Sequence, residues 1–384
     1  MASWLRSSAR RSFTLSGCAA ARRSRKASSA RSSGSDRRVR KGWYGFESPA
    51  TGGGPLMIIS RTPFRISFFG GGTDFLDFYR EHGGAVLATT INQYSYISVH
   101  RLSPFFKYRF KASYAKTECV KHPREFEHPL IRESFLLLKI REGIELSHVA
   151  DLPARTGLGT SSSFTVGLLH ALHTYLGHTV TAEDLAREAI HIERERVADS
   201  GGHQDQYAAA YGGLLRLNFS GNQNVKVIRL SISAERLLDL QSRLLMFYTG
   251  LEQSAEEILK EQTKRVSRNN ACLREMHKMV DEAERILTGT GDLKSFGDLL
   301  HESWLKKRSL AKGITNDMVD EAYTAARDAG ARGGKLLGAG GRGFLLIYAE
   351  SHCHAAIREK LKSLLEVTLG FSNEGSQIIF RTAE

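Results

Sequence analysis

Three glycine-rich stretches bring together the residue types in this chain that are most readily turned to chemistry. The middle one, Pro153-Ala154-Arg155-Thr156-Gly157-Leu158-Gly159-Thr160-Ser161-Ser162-Ser163, runs into an apolar stripe of helical period. That stripe is Phe164, Leu168, Leu169, Leu172, Tyr175 and Leu176, and Gly177 stops it. Glycines let a backbone approach an anion, hydroxyls donate to it, and a helix N-terminus adds free N–H groups and partial positive charge. Such a segment has the make-up of a phosphate cradle. Ser and Thr are also ordinary helix caps, so the segment alone leaves both readings open. The first stretch, Phe69 to Asp74, follows a strand-like run containing Arg65, and its glycines leave the Asp74 carboxylate in open space, suited to sugar hydroxyls. An aspartate in such a turn is also a common local cap. The third stretch, Gly338 to Gly343, matches GxGxxG but precedes a strand-like run, which is the wrong context for a dinucleotide site. The chain has no GxxxxGK[ST] segment and no HRD or DFG set, which excludes a P-loop protein and a protein kinase.

Two acids have informative positions. Glu193 falls on the line Ala186, Ile190, Glu193, Val197, otherwise apolar at helical spacing. An inward carboxylate is expensive unless it is paired or binds a metal. The neighbouring Arg194 or Arg196 would satisfy it, and so would Mg²⁺. Asp205 sits in the polar turn Gly201-Gly202-His203-Gln204-Asp205-Gln206. His122 and His128, six apart and flanked by prolines, read as a solvated loop rather than a metal pair.

The elements that must position these residues read as α+β, because strands and helices are mixed without a regular βαβ alternation. Strands are expected at 58–59, 64–69 and 91–99, broken by Pro63 and the glycines, with more sheet over 207–218 and 225–232. Thr181 with Asp184 three residues on opens another helix. After a strand at 244–248, charged helices are expected over 252–266, 271–287, 299–310 and 317–329. A strand at 344–348, a helix near 354–365 and a strand at 377–380 close the chain. A boundary is placed near residue 235, giving domains over 57–235 and 236–384.

The 384 residues carry a formal net charge of +13, which at face value suggests nucleic acid or an anionic membrane as partner. Residues 1–56, however, hold 12 of the 54 basic residues and only two acids, Asp36 and Glu47. The rest carries 42 basic and 39 acidic residues and is close to neutral. The Ser/Arg-rich leader cannot bury enough surface to fold. It reads first as translated sequence upstream of a start at Met57, next as a transit peptide and last as a nucleic-acid arm. No apolar run is long enough to span a membrane. Cys18, Cys119, Cys272 and Cys353 are far apart, which fits a reducing compartment without disulfides or zinc.

Taken in this order, the three glycine loops resemble those of the GHMP kinases, the superfamily of galactokinase, homoserine kinase, mevalonate kinase and phosphomevalonate kinase. The resemblance covers about residues 57–384. The middle loop is similar to the PxxxGLGSSA phosphate loop, with Thr160 for the first serine. Arg65 and Asp74 are nine apart, like the arginine and sugar-binding aspartate of galactokinases, whose Gly-Glu-His-Thr-Asp is here Gly70-Gly71-Gly72-Thr73-Asp74. Within the superfamily, Arg61 to Asp74, His128 to Glu133, Gly202 to Gly213 and Phe247 to Gly250 most resemble D-glycero-D-manno-heptose 7-phosphate kinases. Fucokinase-type domains share several of these segments, although related kinases tend to carry an arginine where this chain continues Leu251-Glu252-Gln253.

The resemblance implies a two-domain fold, with an N-terminal ribosomal-protein-S5-like domain and a C-terminal ferredoxin-like α/β domain. It implies ATP and Mg²⁺ as cofactors and phosphorylation of the anomeric hydroxyl of heptose 7-phosphate. Asp205 is then the catalytic acid/base with Arg65 beside it, and Gly157, Leu158, Gly159, Thr160, Ser161 and Ser162 hold the nucleotide. Ser161 and Glu193 hold the metal, while Gly71, Gly72, Thr73, Asp74, Gln204, Gly340 and Gly341 meet the substrate. Arg101, Lys107, Arg109 and Lys111 are candidates for a distal phosphate, though exposed strand charges are more often merely solvated. The expected partner is a small sugar or sugar phosphate, in the cytoplasm, with no nucleic acid or membrane, and a homodimer is left open. The alternatives are a free-sugar 1-kinase of the fucokinase or galactokinase type and an inactive sugar sensor on the same fold.

Overall fold

A computed structural model describes residues 57–382 apart from residue 155 and residues 251–254. The leader expected over residues 1–56 and the Leu251-Glu252-Gln253 segment lie outside the described residues. The strands are β1 Met57–Phe69, β2 Gly84–Arg101, β3 Phe110–Ser113, β4 Thr117–Val120, β5 Ile144–Ala150, β6 Leu214–Ser220, β7 Asn224–Arg229, β8 Leu244–Tyr248, β9 Gly333–Leu336, β10 Phe344–Tyr348, β11 Leu365–Glu366, β12 Phe371–Ser372 and β13 Gln377–Arg381. The helices are α1 Leu76–His82, α2 Pro129–Leu137, α3 Thr160–Tyr175, α4 Ala182–Ile190, α5 Gln204–Tyr211, α6 Ala234–Ser242, α7 Ala255–Lys264, α8 Asn270–Thr288, α9 Lys294–Ser309, α10 Asp317–Asp328 and α11 His354–Lys360. Among the described residues, no helix is long and apolar enough to cross a membrane.

One sheet has the order β13-β1-β2-β5-β3-β4, with β12 and the β6–β7 pair also joined to β2. A second, four-stranded antiparallel sheet has the order β11-β8-β10-β9. The mixed α+β architecture expected from the sequence is present. The last two strands of the chain return to the first sheet, β13 against β1 and β12 against β2.

Helix α3 lies across β1 and β2 at close range. Gly167 permits this approach, because a Cβ there would stand 2.7 Å from Thr62 Oγ1, and Ser60 Oγ donates to the Gly167 carbonyl at 2.8 Å. Phe164, Leu168, Leu169 and Leu172 of α3 enter one core with Ile58, Ile97 and Leu146. A second core joins Phe64, Ile66 and Phe68 of β1 to α8, α9 and the second sheet through Met279, Phe296, Met246 and Leu346. The sequence places a break at Pro63, but β1 runs straight through it. The proline only shifts the register against β2, between Pro63 and Arg65. Such an irregularity re-aims side chains, and beyond it Arg65 and Ser67 border the cleft described below.

Several local expectations are met. Thr181 and Asp184 form a reciprocal capping box on α4, and the strands at 244–248 and 344–348 occupy those residues. Residues 207–211, expected as the start of a sheet segment, belong to α5 instead. Three consecutive alanines favour helix there, and Gly212 and Gly213, both at positive φ, end it before β6.

Candidate active site

The loops before α1, α3 and α5 and the turn between β9 and β10 converge on one cleft of about 1040 Å³. Gly159 stands at the N-cap of α3, and its φ of 71° is the left-handed conformation that glycine adopts without strain. A Cβ at this position would lie 3.2 Å from Arg65 Cγ and 3.4 Å from the Asp205 carboxylate. The backbone of the middle glycine loop and the acid–arginine pair therefore meet at one point. The third glycine loop packs against the second: a Cβ on Gly338 would stand 2.2 Å from Gly157 Cα. Its glycines are thus explained in part by loop-to-loop contact.

Arg65 and Asp205, 140 residues apart in sequence, form a two-pronged pair. Nε donates to Oδ1 at 2.7 Å and Nη2 to Oδ2 at 2.8 Å. The remaining Nη1 donates to the Gly157 carbonyl at 2.7 Å. Such a fork fixes the carboxylate's plane as well as its position.

Asp74 borders the cleft but does not stand in open space. It is 1% exposed, with Oδ1 accepting from Gly72 N at 2.9 Å and Oδ2 from the backbone N and side-chain Nε2 of Gln204, at 3.2 and 3.0 Å. Burial raises its pKa and Asp205 adds to that, while these donors pull against the shift. Gly202 packs on it so closely that a Cβ would lie 1.8 Å from Oδ2.

Glu193 is 1% exposed and lies in a π-helical turn, His191–Arg196, that continues α4. Its Oε2 accepts from Ser162 Oγ at 2.9 Å and Gln206 Nε2 at 2.7 Å, with Arg194 Nη2 at 3.6 Å. Oε1 is buried without a hydrogen-bond partner. Burial raises its pKa, opposed chiefly by Arg194. Of the two arginines weighed from sequence, Arg194 is the neighbour, whereas Arg196 pairs with Glu133 at 2.8 Å. Among the described residues no cluster of three or more His, Cys, Asp or Glu side chains could hold a metal ion.

Other expected site residues divide clearly. Gly71, Gly72, Gly157, Gly159, Thr160, Ser161, Ser162, Gln204 and Gly340 border the cleft. Ser162 rather than Ser161 touches Glu193, because the first turn of α3 points it into the core. Leu158 is fully buried in the second core and contributes its carbonyl, which accepts from Arg65 N. The Thr73 hydroxyl is turned inward, donating to the Gly70 and Ala85 carbonyls. Gly341 donates its N–H to the Ile314 carbonyl. Arg101, Lys107, Arg109 and Lys111 lie away from the cleft: Arg109 bonds the Arg141 carbonyl, and Lys111 pairs with Glu145. Arg101 ends β2, and Lys107, Arg109 and Lys111 lie before and in β3, apart from the loops that line the cleft. Cys119, Cys272 and Cys353 are free thiols.

Sequence reasoning missed Lys307, Lys335, Arg342, Gln262 and His203. The first four border the cleft. His203 is buried beside it, 2.8 Å from Tyr79 Oη, and burial lowers its pKa to about 4. Lys335 stands alternate to Leu336 in a short strand with no flanking signal, and Lys307 is one of three consecutive basic residues in α9. Nothing local marks either as inward-facing. His128, expected in a solvated loop, caps α2 by accepting from Ile131 N and joins Tyr114, His148 and Phe164 at one end of the cleft. There the Phe164 ring lies 5.1 Å from His128 and 4.8 Å from His148.

Comparison with known proteins adds to this geometry. Residues 127–213 match the GHMP kinases N terminal domain and residues 279–366 the GHMP kinases C terminal domain. A D-glycero-alpha-D-manno-heptose 7-phosphate kinase of Campylobacter jejuni is 28% identical over 76% of this chain and 89% of its own. A bifunctional fucokinase/GDP-fucose pyrophosphorylase of Arabidopsis thaliana is 27% identical over 64% of this chain, which spans only 25% of that protein. Among solved structures, a D-glycero-D-manno-heptose 1-phosphate kinase from Bacteriodes thetaiotaomicron superposes with a TM-score of 0.64 at 23% identity, over 85% of this chain and all of the other. Lactococcus lactis galactokinase does so at 0.65 with 17% identity, over 84% and 95%. These likenesses at low identity concern the fold.

Proposed function

Because the chain belongs to the GHMP kinases, ATP-dependent enzymes that transfer a phosphoryl group to an alcohol, we propose that it phosphorylates the anomeric hydroxyl of D-glycero-D-manno-heptose 7-phosphate. The product is the 1,7-bisphosphate, a precursor for nucleotide-activated heptose. The Campylobacter jejuni relative supports the choice of sugar. The observation that carries the chemistry is the Arg65–Asp205 fork set against the N-terminus of α3.

Transfer of a phosphoryl group depends mainly on positioning and charge neutralisation. The backbone of Gly157 to Ser162 and the end of α3 would cradle the phosphates of ATP. The rings of Tyr114, His128, His148 and Phe164 offer its base a stacking surface; His148 is held neutral there, its pKa lowered to about 4 by burial. Asp205 accepts the proton of the attacking hydroxyl as the new O–P bond forms and the bond to the ADP oxygen breaks. Arg65 holds the Asp205 carboxylate in orientation and offsets charge at the reacting centre. Asp74 and Gln204 orient the sugar. The unpartnered Glu193 Oε1, with Ser161 at the cleft surface, fits a Mg²⁺ ion, which when bound neutralises phosphate charge.

A free-sugar 1-kinase is the second reading, favoured by the fucokinase relatives. An ADP-release assay with heptose 7-phosphate, L-fucose and galactose, followed by mass analysis of the product, separates the two. Turnover of the free sugars without turnover of the phosphate ester would overturn the first. Asp205→Asn is expected to lower kcat by about 10² to 10⁴ with an unchanged circular dichroism spectrum.

A further inference from the structure

Three buried basic side chains border the cleft. They are Arg65, Lys307 and Lys335, and Asp205 is already engaged by Arg65. Lys307 is 7% exposed and donates from Nζ to the carbonyls of Leu336 and Gly338, at 2.9 and 2.6 Å. Lys335 is 3% exposed and donates to the Phe68 carbonyl at 2.8 Å. Neither lysine has a carboxylate partner among the described residues. An ammonium group has three donors, so Lys307 keeps one N–H and Lys335 two beyond these bonds. Ser67, 6% exposed, also borders the cleft, and its Oγ is buried with no hydrogen-bond partner.

Neutral carbonyls are weak compensation for a buried cation. Burial first, and the neighbouring Arg65 second, lower the Lys307 pKa to about 7, and Lys335 is driven well below its ordinary value by burial, Lys307 and Arg65. Backbone of the acceptor loop adjoins the group. Lys335 holds the Phe68 carbonyl just ahead of Gly70 to Asp74, and a Cβ on Gly71 would lie 3.6 Å from Ser67 Oγ and 3.8 Å from Gln204 Nε2.

We propose that Lys307, Lys335 and Ser67, beside Arg65, form a binding site for one phosphoryl dianion next to the acceptor loop. The two ammonium groups and the hydroxyl donate to its oxygens and replace the missing counter-charge. The dianion has two sources, the ester phosphate of a phosphorylated acceptor or the group in transfer from ATP. The first source rests on the heptose 7-phosphate reading above.

Steady-state kinetics of the full chain test the site, with ATP and either heptose 7-phosphate or free heptose, on wild type, Lys307→Met, Lys335→Met and Ser67→Ala. Methionine keeps the stem and removes the buried charge, and a thermal melt checks each fold. Loss of a charge-assisted bond should change the affected constant by about tenfold to a hundredfold. A rise in KM confined to the phosphorylated acceptor assigns the ester phosphate, and a fall in kcat with every acceptor assigns the group in transfer. Values within about twofold of wild type in folded lysine variants, well short of that expected loss, would overturn the site. If wild type does not turn over heptose 7-phosphate, the substrate reading fails separately. The site is then judged by the thermal shift given by inorganic phosphate, which Lys307→Met/Lys335→Met should reduce. An equal shift in both proteins would overturn it.

Discussion

The Arg65 guanidinium makes two bonds to Asp205 and one to the Gly157 carbonyl, so it ties that carboxylate to the glycine loop before α3. A lysine keeps the charge but not the fork. Arg65→Lys is therefore expected to lower kcat by about tenfold to a hundredfold, as loss of a charge-assisted bond does, with little change in far-UV circular dichroism. Lys307 gives a pH-dependent expectation. In the unfolded chain it keeps its proton up to about 10.5, whereas in the folded protein it keeps it only up to about 7. Between these values the unfolded chain binds more protons, so this group makes stability rise with pH across that window. Urea midpoints of wild type minus Lys307→Met, measured from pH 6 to 10, should show the rise; a flat difference would contradict it. Asp74 and Asp205 could be singled out from sequence by their glycine-rich or polar turns, Arg65 by its spacing from Asp74, and Glu193 by its place in an otherwise apolar helical stripe. Lys307 and Lys335 were not, since an inward lysine and a solvated one look alike until the fold sets the direction.

At the scale of elements, the cleft depends on glycines that let loops touch. Gly159→Ala places a methyl group against Arg65 and Asp205 at a left-handed position, a strain of about 1–2 kcal/mol. Thermal denaturation should report that loss, and kcat should fall further than stability alone explains. Gly202→Ala displaces the Asp74 carboxylate, since no methyl fits 1.8 Å from its oxygen. A raised KM for the acceptor is expected, with KM for ATP little changed. The starts of α3 and α4 were readable because capping and periodicity are local. Helix α5 and the unbroken β1 were not. Residues 204–211 contain aromatic residues that fit either state, and the strand continues through Pro63 because β2 shifts its register there.

At the scale of the molecule, the last described strand completes the first. Strand β13 pairs with β1, Ser376 bonds Thr62 at 2.8 Å, and the Ser372 carbonyl accepts from Thr90 at 2.7 Å. Deleting residues 371–384 should therefore speed amide exchange in Met57–Arg61 and lower the melting temperature, as hydrogen-exchange mass spectrometry and a thermal melt would show. Unchanged exchange in β1 would count against that coupling. The division expected near residue 235 is crossed by these strands, and the second core draws side chains from both sides of it. By itself the sequence determined the α+β class, the helix after the middle glycine loop, the resemblance to the GHMP kinases and the concentration of basic charge in the first 56 residues. The first two and the last are written in local spacing and composition, and the resemblance in short motifs along the chain. Tertiary structure alone decided that Arg65 clasps Asp205 across 140 residues, that Ser162 faces Glu193, that Asp74 is buried, and that two lysines of the C-terminal half point into the cleft. Each of these depends on how separate elements pack, and packing fixes side-chain direction where local sequence leaves it open.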